Sequence, residues 1–465
     1  MKRSIIIYGQ VETGIQKKAV ALLSEFLLDY TYDYPACYRY DEAHMRENSR
    51  YFYIGTRTNN PYIKEACGEA LTHPEEYRIK VQNDTVFIEG FDDQGVLYGC
   101  IDFFDKYIIK CEYPHNDHYR INCFEKALPD YETTSYPSVK NRGLWTWGHV
   151  IYDYKGYIDN MVKLKLNVVT IWNDCAPVNA KEIVDYAHDC GIKVIWGYSW
   201  LWNTNCNQIP LDTLDAFSQD IFDQYEREYS HLDGDGIYFQ SVTETYVETQ
   251  DGIVIADAVT RFVNKTAALF FAKYPNLELQ FGLHATSVKK KLAYIQQTDP
   301  RIHIIWEDLG AFPFSYIPND IETFEDTKTF VNQISHLRGE KERFGVVTKG
   351  LTKLDWYSFE HPDAPRYIGV CSKAMKVDRV ARKHKIWKYL QAFWLTNGDK
   401  ALEMIRFMKD LRNGDLYVSG LVEDGMFEEN VMYPVALFAE MLWDADSDIK
   451  NLMSDVALRS YVEFA

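Results

Sequence analysis

Carboxylic acids follow apolar runs at several points in this sequence, and Glu244 is the clearest example. The run from Gly236 to Val242 predicts a buried strand, and it leads directly into Thr243 and Glu244. A charge beside a buried strand is costly unless the strand ends at a pocket or a partner. A carboxylate in a pocket suits general acid, general base or nucleophilic chemistry. A helix cap or a salt bridge is the structural alternative for Glu244.

Other predicted strand ends carry the same two residue classes, carboxylates and aromatic rings. Glycosidic bond cleavage needs paired carboxylates, since one protonates the leaving oxygen while the other activates water or attacks the sugar. Aromatic rings suit the apolar faces of sugars, although each of them can equally be a core residue. Beside Glu244, the candidate catalytic residues are Glu360, Glu307 and Asp308. The candidate sugar-binding residues are Trp145, Trp147, Trp172, Asn173, Asp174, Trp200, Gln240, His284, Trp306, Lys349 and Trp356.

Predicted strands alternate with predicted helices along the sequence, and these elements must position the candidate residues. Alternation of this kind predicts a (β/α)8 TIM barrel, with its site at the carboxyl ends of the strands. Two helical patterns lie between the seventh and eighth strands. The predicted strands are Arg142–Trp147, Asn167–Trp172, Lys193–Trp200, Gly236–Val242, Glu278–His284, His303–Trp306, Gly345–Lys349 and Leu416–Leu421. The helices between them are Tyr154–Leu164, Lys181–Cys190, Leu214–Tyr229, Ala256–Tyr274 and Thr327–Leu337.

Residues 1–130 predict a separate small α/β domain, so that the barrel comprises residues 131–465. Alternating residues at 77–81 and 86–90 predict a hairpin around a turn at Asn83 and Asp84. A helix follows from Asp92, with Leu97, Ile101, Phe104 and Ile108 on one face. The polar, proline-flanked stretch from Ala127 to Pro137 is the expected boundary.

Composition limits the function classes. The net charge of −18 argues against a nucleic-acid surface and disfavours long anionic polymers. No segment approaches the roughly 20 apolar residues of a membrane span, and the start lacks a signal-peptide core, so a cytoplasmic protein is expected. The nine cysteines suit reduced thiols. Without a nucleotide-binding motif or a histidine cluster, no metal or cofactor is expected. A monomer and a homo-oligomer both stay open.

Several segments of the sequence resemble those of one family. The most specific of them is Gly95-Val-Leu-Tyr-Gly99, at the start of a predicted helix. The family is that of the α-glucuronidases that remove glucuronic acid from xylan, and more distantly the hexosaminidase-type barrels with the same two-domain plan. The segments are Val86–Gly99, Lys140–Gly148, Leu166–Asn173, Cys190–Val194, Phe239–Glu244, Val347–Trp356, Phe359–Pro362 and Leu437–Asp444. The resemblance implies the same fold and a glycosidase activity.

The resemblance also implies individual roles. Glu244 matches the general acid of the family, and Glu360 matches its general base. Gln240 stands where the family has a lysine that meets the uronic carboxylate, which argues against glucuronate as the substrate. The second carboxylate near the base has no clear match, so Glu307 and Asp308 are the candidates for it.

The resulting prediction is a cytoplasmic glycoside hydrolase that acts on a small oligosaccharide. One alternative is a hexosaminidase-like hydrolase that uses the acetamido group of its substrate. Adjacent acids after the fourth strand would be expected in that case, whereas Thr243 and Glu244 occupy this place. The other alternative is a degenerate barrel that binds carbohydrate without hydrolysing it.

Overall fold

The protein forms two compact units. The computed structural model describes residues 2–113, 121–146, 151–173, 175–201, 211–242, 247–284, 288–309, 321, 323–339, 342–353, 364–369, 371–411, 415–422 and 427–465. One unit comprises Met1–Ser138, His188–Gly191 and Lys450–Val462, and the other comprises Val139–Ala187, Ile192–Ile449 and Glu463–Ala465.

The first unit is built on a six-stranded sheet with the order β2-β1-β3-β5-β4-β6. All neighbours are parallel except β4, which is antiparallel to both β5 and β6. The predicted hairpin is present as β4 and β5. The strands are Arg3–Tyr8 (β1), Ala36–Arg39 (β2), Ser49–Gly55 (β3), Tyr77–Gln82 (β4), Thr85–Gly90 (β5) and Tyr131–Ser135 (β6).

Helices of the first unit bury their apolar residues. The predicted stripe of Leu97, Ile101, Phe104 and Ile108 is buried, and the Asp92 carboxylate accepts a hydrogen bond from the Gly95 amide at the start of its helix. The helices are Gly14–Thr31 (α1), Pro61–Ala66 (α2), Asp93–Asp102 (α3), a π-helical stretch Phe103–Ile108, Ile109–Glu112 (α4) and a 3₁₀ turn Cys123–Glu125.

The second unit contains a closed barrel of eight parallel strands, as the sequence predicts. Every predicted strand is present, and the first pairs with the last, which closes the barrel. The barrel strands are Asn141–Trp145 (β7), Val168–Trp172 (β8), Lys193–Gly197 (β9), Gly236–Phe239 (β10), Glu278–Leu283 (β13), His303–Leu309 (β14), Phe344–Leu351 (β15) and Tyr417–Val422 (β16). Short strands are Thr249–Gln250 (β11), Ile253–Val254 (β12), Val431–Met432 (β17) and Val462–Glu463 (β18).

Helices alternate with these strands. All five predicted helices are present, and Leu214–Ala216 is a 3₁₀ turn before its helix. The two helical patterns before β16 are one continuous helix of 39 residues, because no proline interrupts the stretch. The helices are Tyr154–Lys163 (α5), Ala180–Asp189 (α6), Phe217–Glu228 (α7), Ile255–Lys273 (α8), Leu292–Ile295 (α9), Phe324–Ser335 (α10), Lys373–Leu411 (α11) and Tyr433–Trp443 (α12). The last helix, Ile449–Ala457 (α13), belongs to the first unit from Lys450 onward.

Large apolar side chains fill the barrel interior. The core cluster consists of Trp145, Val168, Trp172, Ile195, Tyr238, Ile305, Val347, Tyr417 and Leu421. Val168 and Trp172 are four residues apart on β8, as are Tyr417 and Leu421 on β16, and this even spacing places each pair on one face of its strand. Among the helices of the described residues, none is long and apolar enough to cross a membrane.

Candidate active site

Four ionisable side chains meet inside the barrel at the carboxyl ends of β13, β14 and β15. They are His284, Glu307, Asp308 and Lys349, and together they are called the charge cluster below. The side chains of Glu307, Asp308 and Lys349 are at most 1% exposed, whereas His284 is 12% exposed. The sequence predicts all four as site residues. In a β/α barrel this end of the strands carries the active site.

A bulge in β14 allows two consecutive carboxylates to reach the same place. Consecutive side chains of a regular strand point to opposite faces. Trp306 pairs with Val346 and Leu309 pairs with Thr348, so β14 has one more residue than β15 over this interval. An extra residue of this kind re-aims the side chains beside it. Glu307 and Asp308 consequently both contact His284.

Three side chains hold the carboxylate of Glu307. The Tyr238 hydroxyl donates to Oε1 at 2.5 Å, and Nε2 of Gln240 lies 2.6 and 2.5 Å from the two oxygens. Nε2 of His284 lies 3.0 Å from Oε2. Tyr238 lies on β10 and Gln240 directly follows it, and their spacing of two residues directs both side chains inward. Both oxygens of Glu307 are therefore fixed by donors.

The carboxylate of Asp308 has a different set of partners. Lys349 donates to Oδ1 at 2.9 Å, and Nδ1 of His284 lies 3.2 Å from the same oxygen. His284 thus bridges the two acids through its two ring nitrogens. The charge cluster contains two carboxylates and two groups that can carry a positive charge. Such internal balance is what permits charged groups to be buried.

The pKa values follow from this arrangement. Burial opposes ionisation of Glu307, but the charge of His284 and its hydrogen bond, together with Lys349, hold the pKa of Glu307 below its usual range. Burial also opposes ionisation of Asp308, and Lys349 and His284 hold its pKa far below the usual value. Burial disfavours the charged form of His284, yet Asp308 and Glu307 raise its pKa to about 10. At neutral pH both acids are ionised and His284 is protonated.

These protonation states limit the chemistry that Glu307 can perform. An ionised carboxylate can accept a proton from water or attack a carbon atom, but it cannot protonate a leaving group. Burial, and then the negative charge of Glu307, raise the pKa of Tyr238 well above its usual value, so Tyr238 stays a hydrogen-bond donor. A reaction that also needs a general acid must take the proton from another residue.

Two residues of the site were not predicted from the sequence. Tyr238 lies within an apolar run and looks like a core residue, although its spacing from Gln240 is the signal that both face inward. Gly282 lies two positions before His284 on β13. A Cβ atom at this glycine would collide with the Glu307 carboxylate and the Tyr238 hydroxyl. The absence of a side chain there makes room for the carboxylate.

The structure does not bring the predicted tryptophans of the described residues to the charge cluster. Trp200 stacks on Phe239 with ring centroids 3.6 Å apart, and it also stacks on Phe270 of α8. Trp306 packs edge-to-face against Phe330 of α10. Both rings are therefore on the outer side of the strands, beneath helices.

Trp145 and Trp172 belong to the barrel core instead. Their ring centroids lie 5.6 and 5.7 Å from that of Tyr238, and both side chains are buried. They pack beside Tyr238, whose hydroxyl donates to Glu307. Asn173, directly after β8, is also buried, at 6% exposure.

The remaining predicted site residues lie outside the described residues. They include the proposed acid and the proposed base of the family resemblance, so the structure gives no position for either. These residues are Glu244, Glu360, Asp174, Trp147 and Trp356. Within the described part of the chain, no group of three or more histidine, cysteine, aspartate or glutamate side chains could hold a metal ion.

Comparison with known proteins gives fold neighbours but no sequence relative. No family profile and no curated protein matches the sequence. A GH138 enzyme targeting pectin rhamnogalacturonan II superposes with a TM-score of 0.55 at 11% identity, over 96% of this chain and 64% of that one. The present chain thus spans less than two thirds of the length of that enzyme.

Two further solved structures share the fold. CpGH84B superposes with a TM-score of 0.53 at 10% identity, over 98% of this chain and 70% of that one. The β-N-acetylhexosaminidase of Bacteroides fragilis NCTC 9343 superposes with a TM-score of 0.55 at 13% identity, over 100% of this chain and 93% of that one. The expected likeness to hexosaminidase-type barrels is confirmed at the level of the fold.

Proposed function

We propose that this protein is a glycoside hydrolase in which Glu307 is the general base or the nucleophile. The observation that carries the proposal is an ionised carboxylate, fixed by Tyr238, Gln240 and His284, at the carboxyl end of a barrel strand. The fold neighbours support it, since a GH138 enzyme and a hexosaminidase are among them.

The other roles follow from the charge states. Glu307 cannot be the acid while it is ionised, so the acid is Glu244. Glu244 follows β10, which is separated from β14 by β13 in the barrel. Glu360 is the alternative base. Asp308 and Lys349 position His284, and His284 is the member of the charge cluster with the most exposed surface. We therefore assign His284 to contact a sugar hydroxyl beside Glu307.

Gln240 bears on the identity of the sugar. Its amide donates to Glu307, so it serves the carboxylate of the protein instead of a carboxylate of the sugar. This use of Gln240 gives no support to an α-glucuronidase. The finer proposal that has most support is a hexosaminidase-like activity, because the Bacteroides fragilis hexosaminidase is matched over 93% of its length. A hexosaminidase-like site would be expected to have adjacent acids after the fourth barrel strand, where this sequence has Thr243 and Glu244. Here the adjacent acids are Glu307 and Asp308, near the carboxyl end of the sixth strand, β14.

The test is the substitution Glu307→Gln, assayed on aryl glycosides that include N-acetylhexosaminides and glucuronides. Loss of a base or nucleophile should lower kcat by at least about 100-fold on any substrate found. Glu440→Gln is the matched control, since Glu440 is also buried and pairs with a buried lysine, Lys165, at 3.4 Å. This pair lies next to the amino end of β8, away from the charge cluster. Circular dichroism checks that both variants are folded.

Near-normal turnover by the Glu307→Gln variant would remove Glu307 from the reaction. The substitution Glu244→Gln then separates the roles of the two acids. Loss of a general acid harms substrates with poor leaving groups most, so activated aryl glycosides should retain far more activity than oligosaccharides. Equal losses on both substrate types would contradict the assignment of Glu244.

A further inference from the structure

Helix α11 is much longer than the barrel wall on which it packs. The Trp394 indole donates to the Gly350 carbonyl at 2.8 Å, and Gly350 is one residue from the carboxyl end of β15. The 21 residues from Lys373 to Phe393 therefore precede the point where the helix meets this strand end. At 1.5 Å per residue, this part is about 30 Å long. It is called the overhang below.

The overhang is fastened to loops at the same end of the barrel as the charge cluster. Lys376 lies 2.7 Å from Asp153, which follows β7, and Arg379 lies 2.7 Å from Glu428, which follows β16. The Arg379 guanidinium also stands 3.9 Å from the centroid of the Tyr152 ring. One side of the overhang is thus fixed beside the loops that follow the first and last barrel strands.

The other side of the overhang is basic. Residues 373–388 contain seven lysine and arginine residues and one acidic residue, in a chain with 50 basic and 68 acidic residues. Lys373, Arg382, Lys385 and Lys388 are exposed. Arg382 pairs with Asp378 at 3.0 Å. Among the described residues, no ion pair involves the ammonium groups of Lys373, Lys385 or Lys388.

Helix stability does not account for this concentration of charge. The first turn contains Lys373 and no acidic residue, although the positive end of the helix dipole favours acids there. Lys385 and Lys388 are three residues apart and repel each other. Tyr389 is 43% exposed in the same part of the helix. Exposed cations beside an exposed ring suit a ligand that has both negative charges and sugar faces.

We propose that the overhang binds an acidic polysaccharide and holds it beside the active site. This inference rests on the proposed function for its location, since a glycosidase would receive such a chain at this end of the barrel. Charge complementarity identifies the ligand class. The net charge of −18 repels anionic polymers from the molecule as a whole, so that the overhang becomes the preferred place of contact.

Binding is tested with labelled polygalacturonate as the acidic probe and dextran as the neutral one. The double variant Lys385→Gln with Lys388→Gln removes two exposed charges from the overhang. The matched control is the double variant Lys265→Gln with Lys400→Gln. It removes one exposed charge from α8 and one from the carboxyl-terminal half of α11, outside the overhang. At low salt we expect binding of polygalacturonate to weaken about tenfold in the first variant and to change less than twofold in the control.

Hydrolysis of a small neutral aryl glycoside should be equal in both variants, because neither contains a change in the charge cluster. If polygalacturonate binds as expected and no glycoside is hydrolysed, the inference holds while the proposed function fails. Equal binding by both variants would overturn the inference, as would equal affinity for dextran. It would also be overturned by stronger binding of duplex DNA, or by self-association that the first variant loses without any change in polygalacturonate binding.

Discussion

Glu307 is ionised although its side chain is fully buried. Burial alone would favour the neutral acid, so the charge depends on the donors that surround it. Tyr238 lies on β10, Gln240 directly follows β10 and His284 directly follows β13, and these two strands neighbour each other in the barrel. The reactivity of this carboxylate is consequently a property of the group and not of Glu307 alone.

The pH dependence of stability should show this coupling. The pKa of His284 is raised from 6.5 to about 10 in the folded protein. The resulting stabilisation is complete below pH 6.5 and is lost as the pH rises through 10. The lowered pKa values of Glu307 and Asp308 affect stability at acidic pH. Their stabilisation is complete above about pH 4.5 and is lost as the pH falls further. The difference in Tm between the wild type and His284→Gln should therefore be largest near pH 5–6.5 and decrease toward pH 10. A difference that stays constant from pH 5 to 10 would contradict the raised pKa.

Gly282 gives a second prediction at the scale of the residue. In Gly282→Ala the added Cβ displaces the Glu307 carboxylate or the Tyr238 hydroxyl. A displacement of about 1 Å can cost on the order of 100-fold in kcat. Gly345→Ala is the control, because its Cβ would be crowded by Ile305 and Tyr417, away from the charge cluster. We expect both variants to lower Tm and only Gly282→Ala to lower kcat strongly, as steady-state kinetics and thermal unfolding would show.

Among the elements, α11 contacts the end of β15 directly after the overhang, where the buried Trp394 indole donates a hydrogen bond to the Gly350 carbonyl. In Trp394→Phe the Gly350 carbonyl loses the indole donor, which should cost about 1–3 kcal/mol of unfolding free energy. Trp387→Phe is the matched control on the same helix. The Trp387 indole N–H is buried and makes no hydrogen bond within the described residues, so its removal should cost less. Chemical denaturation would measure both, and equal losses would contradict a role for this bond.

The sequence predicts the elements well because periodicity reports which face of an element is buried. The eight barrel strands are predicted by apolar runs, and the five helices are predicted by apolar stripes at helical spacing. The bulge at Trp306–Leu309 was not predictable, since it depends on the residue count of the neighbouring strand. The continuity of α11 was also missed, because its first half exposes most of its surface and has a weak apolar stripe.

The sequence predicts site residues where it predicts the carboxyl ends of the barrel strands, because side chains at these ends form the site. His284, Glu307, Asp308, Lys349 and Gln240 come together as strand-end residues. Trp200 and Trp306 are predicted as sugar-binding residues from their residue type. However, their rings pack beneath helices, since the side of the strand that a ring occupies depends on local register. The roles of Glu244 and Glu360 stay predictions.

Over the whole molecule, the net charge of −18 is an energetic cost of the folded state. Like charges brought close together repel, and salt screens this repulsion over about 10 Å at 0.1 M. We therefore expect Tm to rise by a few degrees between 20 and 200 mM sodium chloride, as differential scanning calorimetry would show. Binding of polygalacturonate to the overhang should weaken over the same range. A Tm that falls with salt would show that attractive surface pairs outweigh the repulsion.

The bulge in β14 also limits how this site can be transferred or redesigned. In a regular strand, two point substitutions cannot create adjacent acids that face one ligand, because one of them would point into the surrounding helices. A grafting experiment would have to move the segment from Trp306 to Leu309 with its extra residue, opposite a shorter stretch such as Val346–Thr348. Deleting one residue from this segment would restore the regular register, and it would turn one of the two acids away from His284.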